Sequence, residues 1–103
     1  MKPGQTSPWQ PLQVIGLPCH NKYLRLRTPW KTRNDKVIVD SQAPEWVTLP
    51  AGAIGYCVNK SVGTIRLGFT RDFTPAPPRH SIVDYDYVIP VGLADMWRFE
   101  IQA

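Results

Sequence analysis

Proline and glycine interrupt this sequence at short intervals, and no stretch between them keeps helical periodicity over three turns. Eleven of the 103 residues are proline, about twice the usual share of roughly 5%. Proline fixes the backbone angle φ and lacks an N–H donor, so it favours short extended elements joined by turns. The frequent prolines and glycines therefore predict an all-β domain.

Seven short segments have the composition or the alternation of β-strands: residues 23–27, 37–39, 46–49, 53–58, 64–69, 81–90 and 97–101. Pro50 and Gly52 suit a turn, and Gly55 inside a strand predicts a bulge or a close backbone approach. Residues 91–96 are too short for a stable α-helix and suit a 3₁₀ turn. In the last segment, Trp97, Phe99 and Ile101 are expected to face the core.

The pattern V-x-L-P-A-G-x-x-G-x-x-V at residues 47–58, followed by a hairpin, Ile89-Pro90, a short turn and a last strand, resembles SH3-like barrels. The resemblance covers residues 37–101 and implies a compact, strongly bent sheet, with Gly52 and Gly55 at the bends. We therefore predict a small SH3-like barrel of about five to seven short strands over residues 37–103. Residues 1–36 are predicted to form a basic, proline-rich arm that stays outside the barrel or adds one or two strands to it.

The arm suggests a non-enzymatic binding or assembly subunit of a larger complex, such as a virion. Proline-rich extended segments lie along neighbouring molecules, and buried tryptophans dominate interface energies. The predicted partner-binding residues are Pro8, Trp9, Pro11 and Trp30. The expected partner is another protein or a second copy of the chain.

Charge is distributed unevenly: the net charge is +4, and residues 1–34 contain six basic residues and no acidic one. Basic and aromatic side chains alternate in residues 20–33, which favours an alternative function, nucleic-acid binding. Its candidate residues are Lys22, Tyr23, Arg25, Arg27, Lys31 and Arg33. The competing interpretation is a solvated strand face whose aromatic rings belong to the core, with Arg25 and Arg27 paired to the acidic C-terminal strands.

Catalytic and metal-binding patterns are weak. Cys19, His20, Cys57 and His80 are a nominal zinc set, but neither cysteine has a partner at C-x₂₋₄-C spacing. Asp84 and Asp86 alternate as an exposed strand face would. Residues 87–91 resemble the pore-lining segment of plasmid-encoded dihydrofolate reductases, tetramers of SH3-like subunits, but lack the expected glutamine. We predict no enzymatic activity, no cofactor and no metal, with this reductase resemblance as the exception.

Targeting signals are not evident in the sequence. Met1 and Lys2 are followed by proline and glycine rather than by an apolar run, and no window reaches the roughly 18 apolar residues of a membrane span. Two cysteines are too few for a disulfide scaffold. We predict a soluble protein, cytoplasmic or within a macromolecular assembly, with free thiols or, as the alternative, one Cys19–Cys57 bridge.

Overall fold

A computed structural model describes residues 9–11, 22–61, 63–79 and 81–102. Within them lie eight strands: β1 (Trp9–Pro11), β2 (Tyr23–Leu26), β3 (Trp30–Arg33), β4 (Trp46–Leu49), β5 (Ile54–Ser61), β6 (Thr64–Phe69), β7 (Tyr87–Gly92) and β8 (Phe99–Gln102). Three short 3₁₀ helices span Asp35–Ile38, Ile82–Asp84 and Leu93–Arg98. The predicted all-β class is confirmed, with seven of the strands between residues 22 and 102. No helix in the described ranges is long and apolar enough to cross a membrane.

Six strands form one antiparallel sheet in the order β1-β8-β2-β5-β6-β7, and β3 and β4 form a separate two-stranded ribbon. Strands β1 and β7 are the edges of the large sheet, so over the described residues the sheet is open rather than a hydrogen-bonded closed barrel. Strand β2 precedes residue 37 and yet lies between β5 and β8. The sheet therefore extends into the segment that the sequence suggested as an arm.

The main core is built from the inward positions of both sheets. Leu24 and Leu26 of β2 are fully buried while Arg25 between them points outward, as the alternation predicts. The other buried members of this cluster are Val47, Leu49, Ala53, Cys57, Ile65, Leu67, Phe69, Ile89, Val91, Met96, Phe99 and Ile101. The ribbon packs on the large sheet through Val47 and Leu49, which belong to the same cluster.

Both glycine predictions in the 47–58 motif are confirmed. Gly52 has φ of +86°, in the left-handed region that glycine adopts without strain. At Gly55, a Cβ atom would lie 2.7 Å from the Phe69 ring, so the backbone approaches that ring closely. The bulge lies farther along β5, where its register against β6 shifts between Cys57 and Asn59.

One predicted strand is replaced, and another is shortened, by a 3₁₀ helix with a side-chain cap. Residues 37–39 were expected to be extended, but Asp35–Ile38 is a 3₁₀ helix whose first turn is capped by Asn34. Residues 81–86 also leave the predicted 81–90 strand, because the Ser81 side chain accepts a hydrogen bond from Val83 N and starts the 3₁₀ helix Ile82–Asp84. Such local side-chain bonds compete with strand pairing.

The C-terminal segment was predicted correctly in part. The 3₁₀ turn expected near residues 91–96 is confirmed as Leu93–Arg98, and Phe99 and Ile101 are buried. Trp97 was expected to face the core, but it lies in this 3₁₀ helix and is 55% exposed. The inward prediction for Trp97 was wrong because the strand starts two residues later, at Phe99.

Candidate binding surfaces

The tryptophan of the arm is fixed at one edge of the large sheet. Strand β1 pairs antiparallel with β8, with Trp9 opposite Gln102 and Pro11 opposite Glu100. The Arg25 guanidinium carbon lies 4.7 Å from the centre of the Trp9 ring, and its Nη2 donates to Glu100 Oε1 at 2.8 Å. Backbone pairing and the Trp9–Arg25–Glu100 stack together hold β1 against the domain. Pro11 ends β1, and Pro8 lies outside the described residues.

The second predicted anchor, Trp30, is half-buried and packs against the core. Its ring meets Phe99 edge-on with a centroid distance of 5.9 Å. The Arg98 guanidinium carbon lies 4.9 Å from the Trp30 ring and 4.6 Å from the Trp97 ring, and Arg98 Nε donates to Asp95 Oδ1 at 2.9 Å. Trp97 is 55% exposed, so of the two tryptophans beside Arg98 it is the more exposed.

The basic segment 20–33 does not form one continuous surface. The Tyr23 hydroxyl donates to Ala76 O, and its ring packs edge-on against Tyr56. Arg25 forms the ion pair with Glu100, as the competing interpretation predicted, whereas Arg27 Nη1 donates to Trp97 O at 3.3 Å instead of reaching a carboxylate. Lys22 is exposed at the start of the segment.

The remaining two basic candidates share a face of the β3–β4 ribbon. Lys31 and Arg33 are exposed, and in the ribbon register they lie opposite Thr48 and Trp46 respectively. Trp46 is 53% exposed, and Thr48 is exposed beside it. We call Lys31, Arg33, Trp46 and Thr48 the ribbon face.

Sequence reasoning did not assign Trp46 to the ribbon face because its cross-strand neighbour, Arg33, lies thirteen residues away in the chain. The alternation Trp46–Val47–Thr48–Leu49, with the two aliphatic residues buried, was the available signal. Arg33 Nη2 also lies 3.3 Å from Glu45 Oε2, with both side chains more than half exposed. Such an exposed pair is weak and exchanges readily with other partners.

A polar cavity of about 330 Å³ lies between the loop after the first 3₁₀ helix and the start of β7. Asp86 at its wall accepts a hydrogen bond from Arg71 N at 2.8 Å, and Lys36 Nζ donates to Val83 O at 2.8 Å. Asp84 lies in the 3₁₀ helix Ile82–Asp84 rather than on a strand with Asp86. Asp84 and Asp86 therefore do not share the exposed strand face that the alternation predicted, and Asp86 accepts the turn hydrogen bond from Arg71.

The reactive side chains of the sequence are mostly enclosed or outside the described residues. The Cys57 side chain is fully buried in the main core cluster. Burial raises the pKa of Tyr56 and of Tyr85 above the usual value of 10.0. Cys19, His20 and His80 fall outside the described residues, and within those residues no three His, Cys, Asp or Glu side chains are grouped as metal ligands would be.

Comparison with known proteins finds no matching family model, no matching curated protein and no matching solved structure.

Proposed function

We propose that this chain is a non-enzymatic binding or assembly subunit that docks through its N-terminal arm. The observation that supports it is strand β1, which reaches the edge of the sheet and pairs with β8. Strand addition of this kind obtains affinity from main-chain hydrogen bonds and specificity from the side chains between them. Here the specific side chain is Trp9, stacked on Arg25.

The same edge gives the arm a way to join copies of the chain. Three residues pair with β8, so few hydrogen bonds hold the arm to its own domain. An identical arm from a neighbouring copy makes the same contacts with β8, Arg25 and Glu100. Exchange of an identical element between copies is a low-cost route to oligomers.

The fold proposal remains an SH3-like domain. Three features support it: the consecutive antiparallel order of β5, β6 and β7, the 3₁₀ helix Leu93–Arg98 before the last strand, and the pairing of β8 with β2. Small barrels of this type present binding surfaces on loops and edges around a compact core.

Deletion of residues 1–11 is expected to abolish self-association or partner binding and to leave the domain folded. The reason is that β1 contributes edge contacts only, whereas the core cluster lies within residues 24–101. Multi-angle light scattering over a concentration series measures the mass, and circular dichroism checks the fold.

A pair of tryptophan variants provides the control for the arm. In the full-length chain, Trp9→Ala should weaken association at least about tenfold, because Trp9 is the ring that stacks on Arg25. Trp46→Ala removes an exposed ring from the other sheet and should leave association unchanged. If the deletion leaves both mass and partner binding as they were, arm docking is wrong.

A second candidate function, nucleic-acid binding, is favoured by the ribbon face. It places two cations and one exposed indole on the same side of a two-stranded ribbon. Cations neutralise phosphates, and an indole stacks on an unpaired base. Arg25 is a poor probe of this function because reversing its charge also breaks the ion pair with Glu100.

The double variant Lys31→Glu/Arg33→Glu is expected to reduce single-strand affinity and to flatten its salt dependence. Loss of two phosphate contacts should lower the log–log salt slope by about 1.4, at roughly 0.7 per contact. Fluorescence anisotropy of labelled single- and double-stranded oligonucleotides across a salt series measures both quantities.

Two further variants separate charge from stacking on the ribbon face. Trp46→Ala should affect single strands more than duplexes, because only unpaired bases stack on a side chain. Arg71→Glu reverses an exposed charge elsewhere on the domain. It should lower single-strand affinity less than the Lys31/Arg33 double variant does. Equal salt slopes for the wild type and the Lys31/Arg33 variant would exclude the ribbon face as a nucleic-acid site.

A further inference from the structure

The loop between β6 and β7 contains a proline-rich segment with the sequence TPAPPR, residues 74–79. Proline fixes its own φ near the polyproline II value and biases the preceding residue to extended conformations. Thr74, Ala76 and Pro77 each precede a proline, so the local sequence favours polyproline II from Thr74 to Pro78. The segment forms neither helix nor strand over residues 75–79.

Side chains of the domain hold this segment at three points. Thr74 N donates to Thr70 Oγ1 at 3.1 Å, at the start of the segment. Ala76 O accepts a hydrogen bond from the Tyr23 hydroxyl, and Arg79 N donates to Tyr85 Oη at 3.0 Å. Two of these three bonds reach residues outside the loop's own turn and so restrain the segment against the domain.

The two tyrosines that hold the segment belong to a second, smaller core cluster. Tyr56, Val58, Tyr85 and Val88 are its buried members, and Tyr23 and Ala76 pack against it. Tyr85 is only 3% exposed, so its hydroxyl has a fixed position from which to accept the Arg79 N–H. Two of the three hydrogen-bond partners of the segment therefore belong to this cluster or pack against it.

The spacing of the prolines determines which of them share an edge of the segment. A polyproline II helix has three residues per turn, so residues i and i+3 share an edge. The hydrogen bonds to the two tyrosines use backbone atoms, Ala76 O and Arg79 N, and leave the proline rings and the Arg79 side chain out of these contacts. Pro75 and Pro78 share one edge, and both are exposed.

The basic end of the segment is also accessible. The Arg79 side chain is exposed. Its guanidinium takes part in none of the ion pairs formed among the described residues, which join Arg25, Arg33, Arg66 and Arg98 to carboxylates. It is therefore available to a carboxylate on another molecule.

We propose that residues 75–79 are a preformed docking motif for a polyproline-binding protein domain, with Pro75 and Pro78 entering an aromatic-lined groove and Arg79 pairing with a carboxylate beside it. Aromatic grooves of this kind recognise P-x-x-P segments in the polyproline II conformation. Holding the segment in its bound conformation reduces the ordering cost of binding. The proposal uses a surface separate from the arm and does not rest on the function proposed above.

The test is binding of the full-length chain to a panel of purified SH3, WW and EVH1 domains, measured by isothermal titration calorimetry. We expect at least one domain to bind, and the double variant Pro75→Ala/Pro78→Ala to weaken that binding more than tenfold. Arg79→Glu should weaken it further than Arg79→Ala does, because the reversed charge faces the partner's carboxylate. Binding to none of the three domain classes overturns the proposal.

Two control variants test whether the partner domain recognises the ordered segment or simply any exposed proline. Pro77→Ala changes the proline that is not on the shared edge and should cost less affinity than the Pro75/Pro78 change. Tyr23→Phe keeps every proline but removes the hydrogen bond to Ala76 O, so it should lower affinity severalfold by loosening the segment. Equal affinity of the wild type and the Pro75/Pro78 variant overturns the proposal. Light scattering of the proline variants should show the wild-type mass, which separates this surface from arm-mediated association.

Discussion

Gly68→Ala is expected to destabilise the domain by about 3 kcal/mol, the upper end of the range for overpacking a core. Gly68 lies in β6, opposite Val88 of β7. A Cβ atom built there would lie 2.3 Å from Cγ of Tyr85, far inside van der Waals contact. Tyr85 cannot simply rotate away, because its ring is buried and its hydroxyl accepts a hydrogen bond from Arg79 N.

Urea unfolding monitored by tryptophan fluorescence measures this loss, with Gly92→Ala as the matched control. Gly92 lies in the neighbouring strand, and the nearest atom to its ideal Cβ is Gly63 O at 3.9 Å. The control should therefore change the free energy of unfolding by less than about 1 kcal/mol. A Gly68→Ala loss as small as that of the control would mean that the Tyr85 ring does not lie on the Gly68 backbone.

Displacing Tyr85 also has a consequence for the polyproline segment. The Tyr85 hydroxyl fixes Arg79, so a Gly68→Ala chain that still folds should bind a polyproline-recognising domain less well. Core packing at Gly68 and presentation of residues 75–79 are in this way linked through one buried tyrosine. The linkage connects the β6–β7 pairing to the exposed loop between the two strands.

The sequence predicted features that depend on neighbours close in the chain. The 3₁₀ turn before β8, the turn at Gly52 and the alternation in β2 all follow from residues within a few positions of one another. Gly55 was identified because it interrupts a strand pattern, which by itself predicts a close approach. The all-β class follows from the same local signals.

The sequence did not predict features that depend on distant neighbours. The close contact at Gly68 needs Tyr85, which the alternation of residues 81–90 placed in a strand. The exposed position of Trp97 depends on where β8 begins to pair with β2, and Trp46 joins Lys31 and Arg33 only through the ribbon register. Alternation reports which residues share a strand face but not which strand lies beside it.

Asn34→Ala is expected to cost about 3 kcal/mol of stability, because Asn34 is a fully buried amide whose hydrogen bonds join three parts of the chain. Its Nδ2 donates to Pro44 O at 2.8 Å, and its Oδ1 accepts from Lys36 N and from Val88 N, each at 3.0 Å. Alanine leaves the buried Val88 N–H and the partly buried Pro44 carbonyl without these partners. Each unsatisfied buried group costs about 1–3 kcal/mol.

The position of Val88 explains why the Asn34 side chain contributes this much to stability. Strand β7 is an edge of the large sheet, and its outer side has no neighbouring strand within the described residues. The Asn34 amide supplies an acceptor there in place of a strand, and the segment from Asn34 to Glu45 then covers the edge. Losing Asn34 should therefore open the β7 edge as well as weaken the 3₁₀ helix cap.

Hydrogen exchange of the Val88 amide, together with urea unfolding, tests both parts of this argument. In Asn34→Ala, Val88 N–H should exchange faster than expected from the global loss of stability, whereas amides between β5 and β6 should follow the global change. Thr48→Ala, an exposed change on the ribbon, should leave both measurements nearly unchanged. Wild-type protection of Val88 in the Asn34 variant would show that the edge is covered by backbone contacts rather than by this amide.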